Sequence, residues 1–315
     1  MKRLYSFAGT LFLGGLFGVG GLQTEVMQDS IEKEGGIEKK EQAISFLEDG
    51  SYERDERLVN SVPLLDGERH MVVVICSYNN EKFYKWNLDS VFAQEYKNYH
   101  VLYVNDCSAD NTGSFVMNYI EEQGMQDKAI VYHNEERRKA LANLYYAIHS
   151  CKPTDIVLIL DGDDRFSNAK VLQRINQEYA DQNIWLTYGQ FRVHPSGALG
   201  FCRAYPKRVV ERRGFRYYSD TPSHLRTFYA GLFHKIRKED LMFQGDFFPV
   251  TYDLAIMFPM VEMARLHYQF IPDILVDYNG ENPINDHKGL GKQLQRKFDL
   301  IIRARTCYAD IESPF

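Results

Sequence analysis

Residues 157–166 read VLILDGDDRF, an apolar run that stops abruptly in three aspartates within four positions. A continuous apolar run of this length has the character of a strand buried on both faces, as in a parallel sheet. One reading of the acidic end is a polar turn, since Asp and Gly form turns readily and Ser167 or Asn168 can cap a helix starting near Lys170. Electrostatics favours another. Two carboxylates about 4 Å apart repel by roughly 4 kcal/mol at an effective dielectric of 20, and a divalent cation removes that cost. Hard oxygen donors of this kind suit magnesium or manganese, not zinc.

Working outward, MVVVIC (71–76), HVLYVND (100–106) and AIVYHN (129–134) share the strand character. Segments 83–94, 112–124, 139–151 and 170–181 carry helical spacing between and after them. Four βα units in succession predict an α/β fold, a mostly parallel sheet with helices on both faces. Beyond IWLTYGQFRV (184–193) the alternation fades and an irregular C-terminal part is expected. Ligands of open α/β sheets sit outside the carboxyl ends of the strands. Three of those ends are crowded with polar groups: CSYNNE (76–81), NDCSADNTG (105–113) and DGDDRF (161–166). A carboxylate such as Asp106 can accept from a base N–H or a ribose hydroxyl. Asp161 and Asp163 can act on one ligand through a bend at Gly162, and a cation between them and a diphosphate would stabilise a departing nucleotide.

Bulk properties narrow the field. With 44% hydrophobic and 25% charged residues the 315-residue chain is a folded globular protein. A net charge of -6 argues against nucleic acid as a partner. The five cysteines are scattered without a CxxC pair, which supports neither zinc nor a disulfide framework. Residues 1–22 begin with Lys2 and Arg3 and continue uncharged from Leu4 to Leu22, the pattern of either a signal peptide or a membrane anchor. The expected location is therefore membrane-associated or exported, with the side of the membrane open. Residues 23–69 read as an acidic linker, 70–290 as the main domain and 291–315 as a C-terminal helical extension.

In this order the motifs resemble family 2 glycosyltransferases of the GT-A fold, over about residues 70–290. VVVICSYNN resembles the opening strand and loop that hold the nucleobase, which implies donor contacts from Ser77, Tyr78 and Asn79. VNDCSADNTG resembles the D-D-x-S-x-D-x-T segment, with Asn105 at its first acidic position, and implies nucleotide contacts from Asp106 and Asp110. LDGDD resembles the metal-binding D-x-D: Asp161 on the ribose or metal, Asp163 on metal and diphosphate, Asp164 a third candidate. Within PVTYDLAIMFPMVEMA (249–264) the resemblance makes Asp253 the catalytic base, Tyr252 replacing the first acid of the usual E-D pair. The competing role for Asp253 is a helix cap, and Glu262 is expected to form a structural ion pair. His287 is the candidate late metal ligand. HLRTFYAGLF (224–233) lies where the acceptor side is built, implicating Arg226 and Tyr229; the alternative is an amphipathic helix packing its aromatics. Arg137, Arg138 and Lys139 either approach a diphosphate or solvate a helix start.

The resemblance implies an inverting enzyme dependent on Mn2+ or Mg2+, taking a UDP- or GDP-sugar donor and a glycan, lipid or protein acceptor. QLQRK (293–297) has Lys297 where processive synthases carry the tryptophan of Q-x-x-R-W, and no spans follow, so a single addition is expected. A haloacid-dehalogenase-type phosphatase also places paired aspartates after a strand, but Arg165 and the late position of DGDD oppose it. A nucleotidyltransferase wants a glycine-rich basic first loop that CSYNNE lacks. A non-catalytic sugar-binding protein stays open because of Tyr252.

Overall fold

Strand β1 (Met71–Ser77) lies near the middle of an eight-stranded mixed sheet in a computed structural model that describes residues 49–219, 222–284 and 290–315. All of these belong to one compact unit, Gln42–Phe315. The other strands are β2 (Tyr99–Asn105), β3 (Ala129–His133), β4 (Ile156–Asp161), β5 (Arg165–Phe166), β6 (Leu186–His194), β7 (Ser223–Tyr229) and β8 (Tyr268–Asn279). They are ordered β3-β2-β1-β4-β7-β6-β8-β5. The first four are mutually parallel, as their apolar runs require. Side chains alternate between faces. Val72 and Val74 join Leu102, Val104, Val157 and Ile159 in one core. Met71, Val73 and Ile75 join Val101, Leu158 and Leu160 in the other.

Helices α1 (Tyr84–Phe92), α2 (Thr112–Glu122) and α4 (Val171–Glu178) cover the second face through Leu88, Val116 and Val171. Helices α3 (Lys139–His149) and α5 (Tyr252–Ala264) cover the first through Leu144 and Ile256. The chain leaves β1 toward β2 on one side and returns through α3 to β4 on the other. That reversal opens a crevice between the carboxyl ends of β1 and β4, where CSYNNE and DGDDRF begin.

The region beyond 193 is more regular than the sequence suggests. Segment 224–233 is not an amphipathic helix: β7 runs antiparallel between β4 and β6, and only Ala230–His234 is helical. Its residues are buried on both faces, Leu225 in one core and Phe228 in the other, so no helical stripe could satisfy them. The 12-residue β8 lies parallel to β6. Residues 49–69, expected as linker, pack on the domain instead: Tyr52 stacks on Tyr132 with ring centroids 4.2 Å apart, and Leu58 is fully buried. The C-terminal extension is helical only as α6 (Leu290–Arg303). The remaining tail runs over the domain, the Ile311 N–H bonding the Met263 carbonyl and Lys235 Nζ the Phe315 carbonyl.

Glu262 forms the structural ion pair its apolar helix implied. Its two oxygens accept from Arg216 Nε at 2.6 Å and Nη2 at 2.9 Å, and the Tyr308 N–H adds a third bond. Arg216 also donates to the Ile302 carbonyl, so the pair joins α5, α6 and the tail. Both side chains are almost wholly buried. Removing one partner leaves an uncompensated buried charge. Glu262→Ala is expected to lower the unfolding free energy by about 3–5 kcal/mol in urea denaturation; a loss below about 1 kcal/mol would contradict this role.

Candidate functional site

The crevice is a cavity of about 1250 Å³ walled by Ser77, Tyr78, Asp106, Asp161, Asp163 and Asp253 among others. These residues come from the carboxyl ends of β1, β2 and β4 and from the first turn of α5, which the fold brings to one edge of the sheet. The DGDD loop is fixed from three directions. A Cβ on Gly162 would lie 2.7 Å from Ser77 Cβ and Oγ, so only glycine lets the loop close onto β1. Asn87 Nδ2 on α1 donates to the carbonyls of Asp161 and Asp164. From β8 the Asn279 N–H bonds Asp164 Oδ1 at 2.7 Å, and Asp277 takes both Arg165 and Arg192.

Around this loop the acids differ in task. Asp161 is partly exposed to the cavity, and its Oδ1 accepts the Tyr252 hydroxyl at 2.6 Å. Asp163 Oδ2 accepts from Asn282 Nδ2 at 2.7 Å. Asp164 is fully buried, with Oδ2 lacking a partner; burial, then Asp163 and Asp161, push its carboxyl well above the usual range. His224 sits with Asp161 and Asp164 in a group whose ligand atoms lie within 4.8 Å of one another. Burial and then the Arg226 charge hold His224 well below the ordinary histidine range, and the one lone-pair nitrogen of the neutral ring accepts from Arg226, which leaves the carboxylate oxygens as the metal donors. An oxygen-rich set with one orphaned buried carboxylate oxygen fits a hard divalent cation.

Asp253 stands in the first turn of α5, after Thr251 in the left-handed conformation. The N-cap residue Thr251 makes no side-chain capping bond, and the Asp253 carboxylate takes the backbone N–H groups of Leu254 and of its own residue, so it shares in capping the helix start. Burial pushes the Asp253 carboxyl above the ordinary carboxylate range and Asp161 adds to the rise, while Arg226 opposes it. Arg226 is 2% exposed, stands 5.3 Å from the Tyr252 ring centroid, and donates from Nη2 to His224 Nδ1 at 3.0 Å. Among the described residues its Nε and Nη1 have no acceptor. A buried N–H left in that state costs about 1–3 kcal/mol, an arrangement that a ligand oxygen would relieve. Also lining the cavity, the Arg137 guanidinium lies 3.7 Å from the Tyr78 ring centroid, a flat surface suited to a planar base.

The glycosyl transferase family 2 profile matches residues 72–241, more than half of the chain. The chain belongs to glycosyl transferase family 2. Solved structures agree on the fold. S. aureus TarS in complex with UDP-GlcNAc is 16% identical with a TM-score of 0.50, over 68% of this chain and 59% of that one. The mannosyltransferase PcManGT from Pyrobaculum calidifontis, in complex with GDP-Man and Mn2+, is 18% identical with a TM-score of 0.53, over 78% and 65%. The chain thus spans roughly three fifths to two thirds of the length of these relatives. No curated protein sequence matches it.

Within this family 2 domain several expected contacts are placed elsewhere. Asn79 does not line the cavity; its Oδ1 accepts the Ala109 N–H and its own N–H bonds Ser108 Oγ, tying two loops together. Asp110 likewise faces away, accepting Thr112 N–H and Oγ1 at the start of α2. Asp106 is on the wall, but its oxygens are occupied by Asn134 Nδ2 and the N–H groups of Arg138 and Lys139, which fasten the entry to α3. Tyr229 is at the far edge of the sheet, stacked edge-on against Tyr179 and Phe315, because antiparallel β7 runs away from the cavity after Arg226. Arg138 bonds the Gly50 carbonyl, whereas Arg137 and Lys139 line the cavity. His287 lies outside the described residues. His224, Asn282 and Asn87 were not singled out by sequence; none belongs to a motif, and only the fold brings them beside DGDD.

Gly162→Ala tests the close approach. The added methyl must displace Ser77, and a loss of about 1–3 kcal/mol in thermal or urea unfolding is expected; unchanged stability would show that the loop has room.

Proposed function

We propose that the chain moves one sugar from a nucleotide-sugar donor to an acceptor hydroxyl with inversion at the anomeric carbon. The carrying observation is that Asp161, Asp163 and Asp253 line one cavity with the Tyr78–Arg137 surface. The nucleobase lies against Tyr78 and Arg137. Asp161 and Asp163 would hold a divalent cation, Mn2+ or Mg2+, with the orphaned Asp164 oxygen beside them. When bound, that cation offsets the charge of the departing diphosphate. Asp253 takes the proton of the acceptor hydroxyl as its oxygen bonds to the anomeric carbon, and the bond from that carbon to the phosphate oxygen breaks. The Tyr252 hydroxyl keeps Asp161 aimed at the cavity. The binding of GDP-Man and Mn2+ by PcManGT and of UDP-GlcNAc by TarS supports a UDP- or GDP-sugar donor.

A donor panel read by nucleoside diphosphate release tests this directly. Release is expected from one UDP- or GDP-sugar, dependent on Mn2+ or Mg2+ and lost in Asp163→Ala. No release from any donor would leave the non-catalytic sugar-binding reading. Asp253→Asn should slow transfer by about 10²–10⁴-fold. Because burial disfavours the ionised base, the acid limb of kcat/KM should fall at a pH above that of an ordinary carboxylate. Arg226 favours the anion, so Arg226→Gln should move that limb to higher pH; a limb that moves down, or stays, contradicts Asp253 as the base.

Membrane association through residues 1–22 is part of the same proposal. Among the described residues no helix is long and apolar enough to cross a membrane, and residues 1–22 lie outside them. Deleting residues 1–22 should release the protein from the membrane fraction, and retention there would exclude the anchor.

A further inference from the structure

The Asp253 end of the cavity is cationic in a way the donor does not require. Arg226, on its floor, keeps two N–H donors without an acceptor among the described residues although it is 2% exposed. Thr251 Oγ1 approaches the Gln295 carbonyl at 3.5 Å, which sets α6 beside the start of α5. Lys292 and Arg296, one helical turn apart on α6, line the same cavity. Among the described residues neither takes part in an ion pair, whereas Arg303 further along is paired with Asp299. Arg226 also stands beside Asp161 and Asp164, whereas Lys292 and Arg296 sit on α6 beside the start of α5, so a diphosphate held by Asp161 and Asp163 leaves the α6 pair over on the Asp253 side.

We infer that the acceptor is anionic: a saccharide or polyol carrying a phosphate or carboxylate close to the hydroxyl presented to Asp253, received by Arg226, Lys292 and Arg296. This rests on the transferase reading above and adds the acceptor class to it. A neutral hydroxyl could take one guanidinium N–H, but it gives no reason for two further cations lining the same cavity. An oxyanion accepts from both free Arg226 donors at once and attracts the exposed pair on α6. Its charge also keeps the acceptor oriented while Asp253, ionised, draws the proton.

The test titrates glucose, glucose 6-phosphate and glucuronate into the full-length protein saturated with UDP and Mn2+. These three probes share a ring and differ in charge, and the two anions separate phosphate from carboxylate. At least one anion should bind ten or more times tighter than glucose. The Lys292→Ala/Arg296→Ala double variant should lose that preference while its Kd for UDP moves less than twofold. Arg226→Gln should lose it as well, and the exposed pair on α6 keeps the test valid if the buried variant does not fold. Equal binding of all three probes, or no binding of either anion, overturns the inference while the donor reading stands. A tenfold weaker UDP Kd in the double variant also overturns it, by assigning the cations to the diphosphate. Where UDP does not bind, GDP takes its place as the saturating diphosphate, and failure of the wild type to bind either would overturn the donor reading and this inference with it.

Discussion

The architecture of this site depends on holding several carboxylates together at the end of β4 against their own repulsion. Gly162 lets the loop approach Ser77, Asn87 grips two of its carbonyls, and the Asn279 N–H takes Asp164. None of these contacts neutralises charge. They fix geometry, and the electrostatic cost is eased by burial, which favours the protonated form of Asp164, and by Arg226 beside Asp161 and Asp253. Such an arrangement stores an affinity for cations that an ordinary turn would lack.

Tyr252 shows how a departure from the motif is absorbed. An acid at that position would add a further negative charge beside Asp161. The phenol instead donates to Asp161 Oδ1, and burial and the neighbouring Asp161 keep its proton on. The site thus keeps one acid, Asp253, on the acceptor side, with Arg226 limiting how far burial can raise its pKa. Substituting tyrosine changes the charge balance without removing the base.

The parallel half of the fold was legible because strands buried on both faces must be apolar throughout, as MVVVIC and VLILD are. The cavity acids Asp161 and Asp163 followed from placing polar loops at strand ends, and Asp253 from the family resemblance. Pattern reading failed where burial and pairing are decided at a distance. Strand β7 is recognisable only from neighbours on both sides, and Asp110 and Asn79 look like ligand contacts until their loop partners are known. Asp106 was read as a free acceptor, yet three internal donors occupy it. His224 and Asn282 have no local signal, since long-range packing alone puts them beside DGDD.

The account stands on an acidic cluster that binds a nucleotide diphosphate through a shared cation. The most direct measurement is an anomalous difference map from crystals grown with UDP and Mn2+. The account predicts a manganese peak touching Asp161 and Asp163, with the diphosphate on its other side and the base against Tyr78. A peak away from both aspartates, or UDP bound outside this cavity, would contradict it.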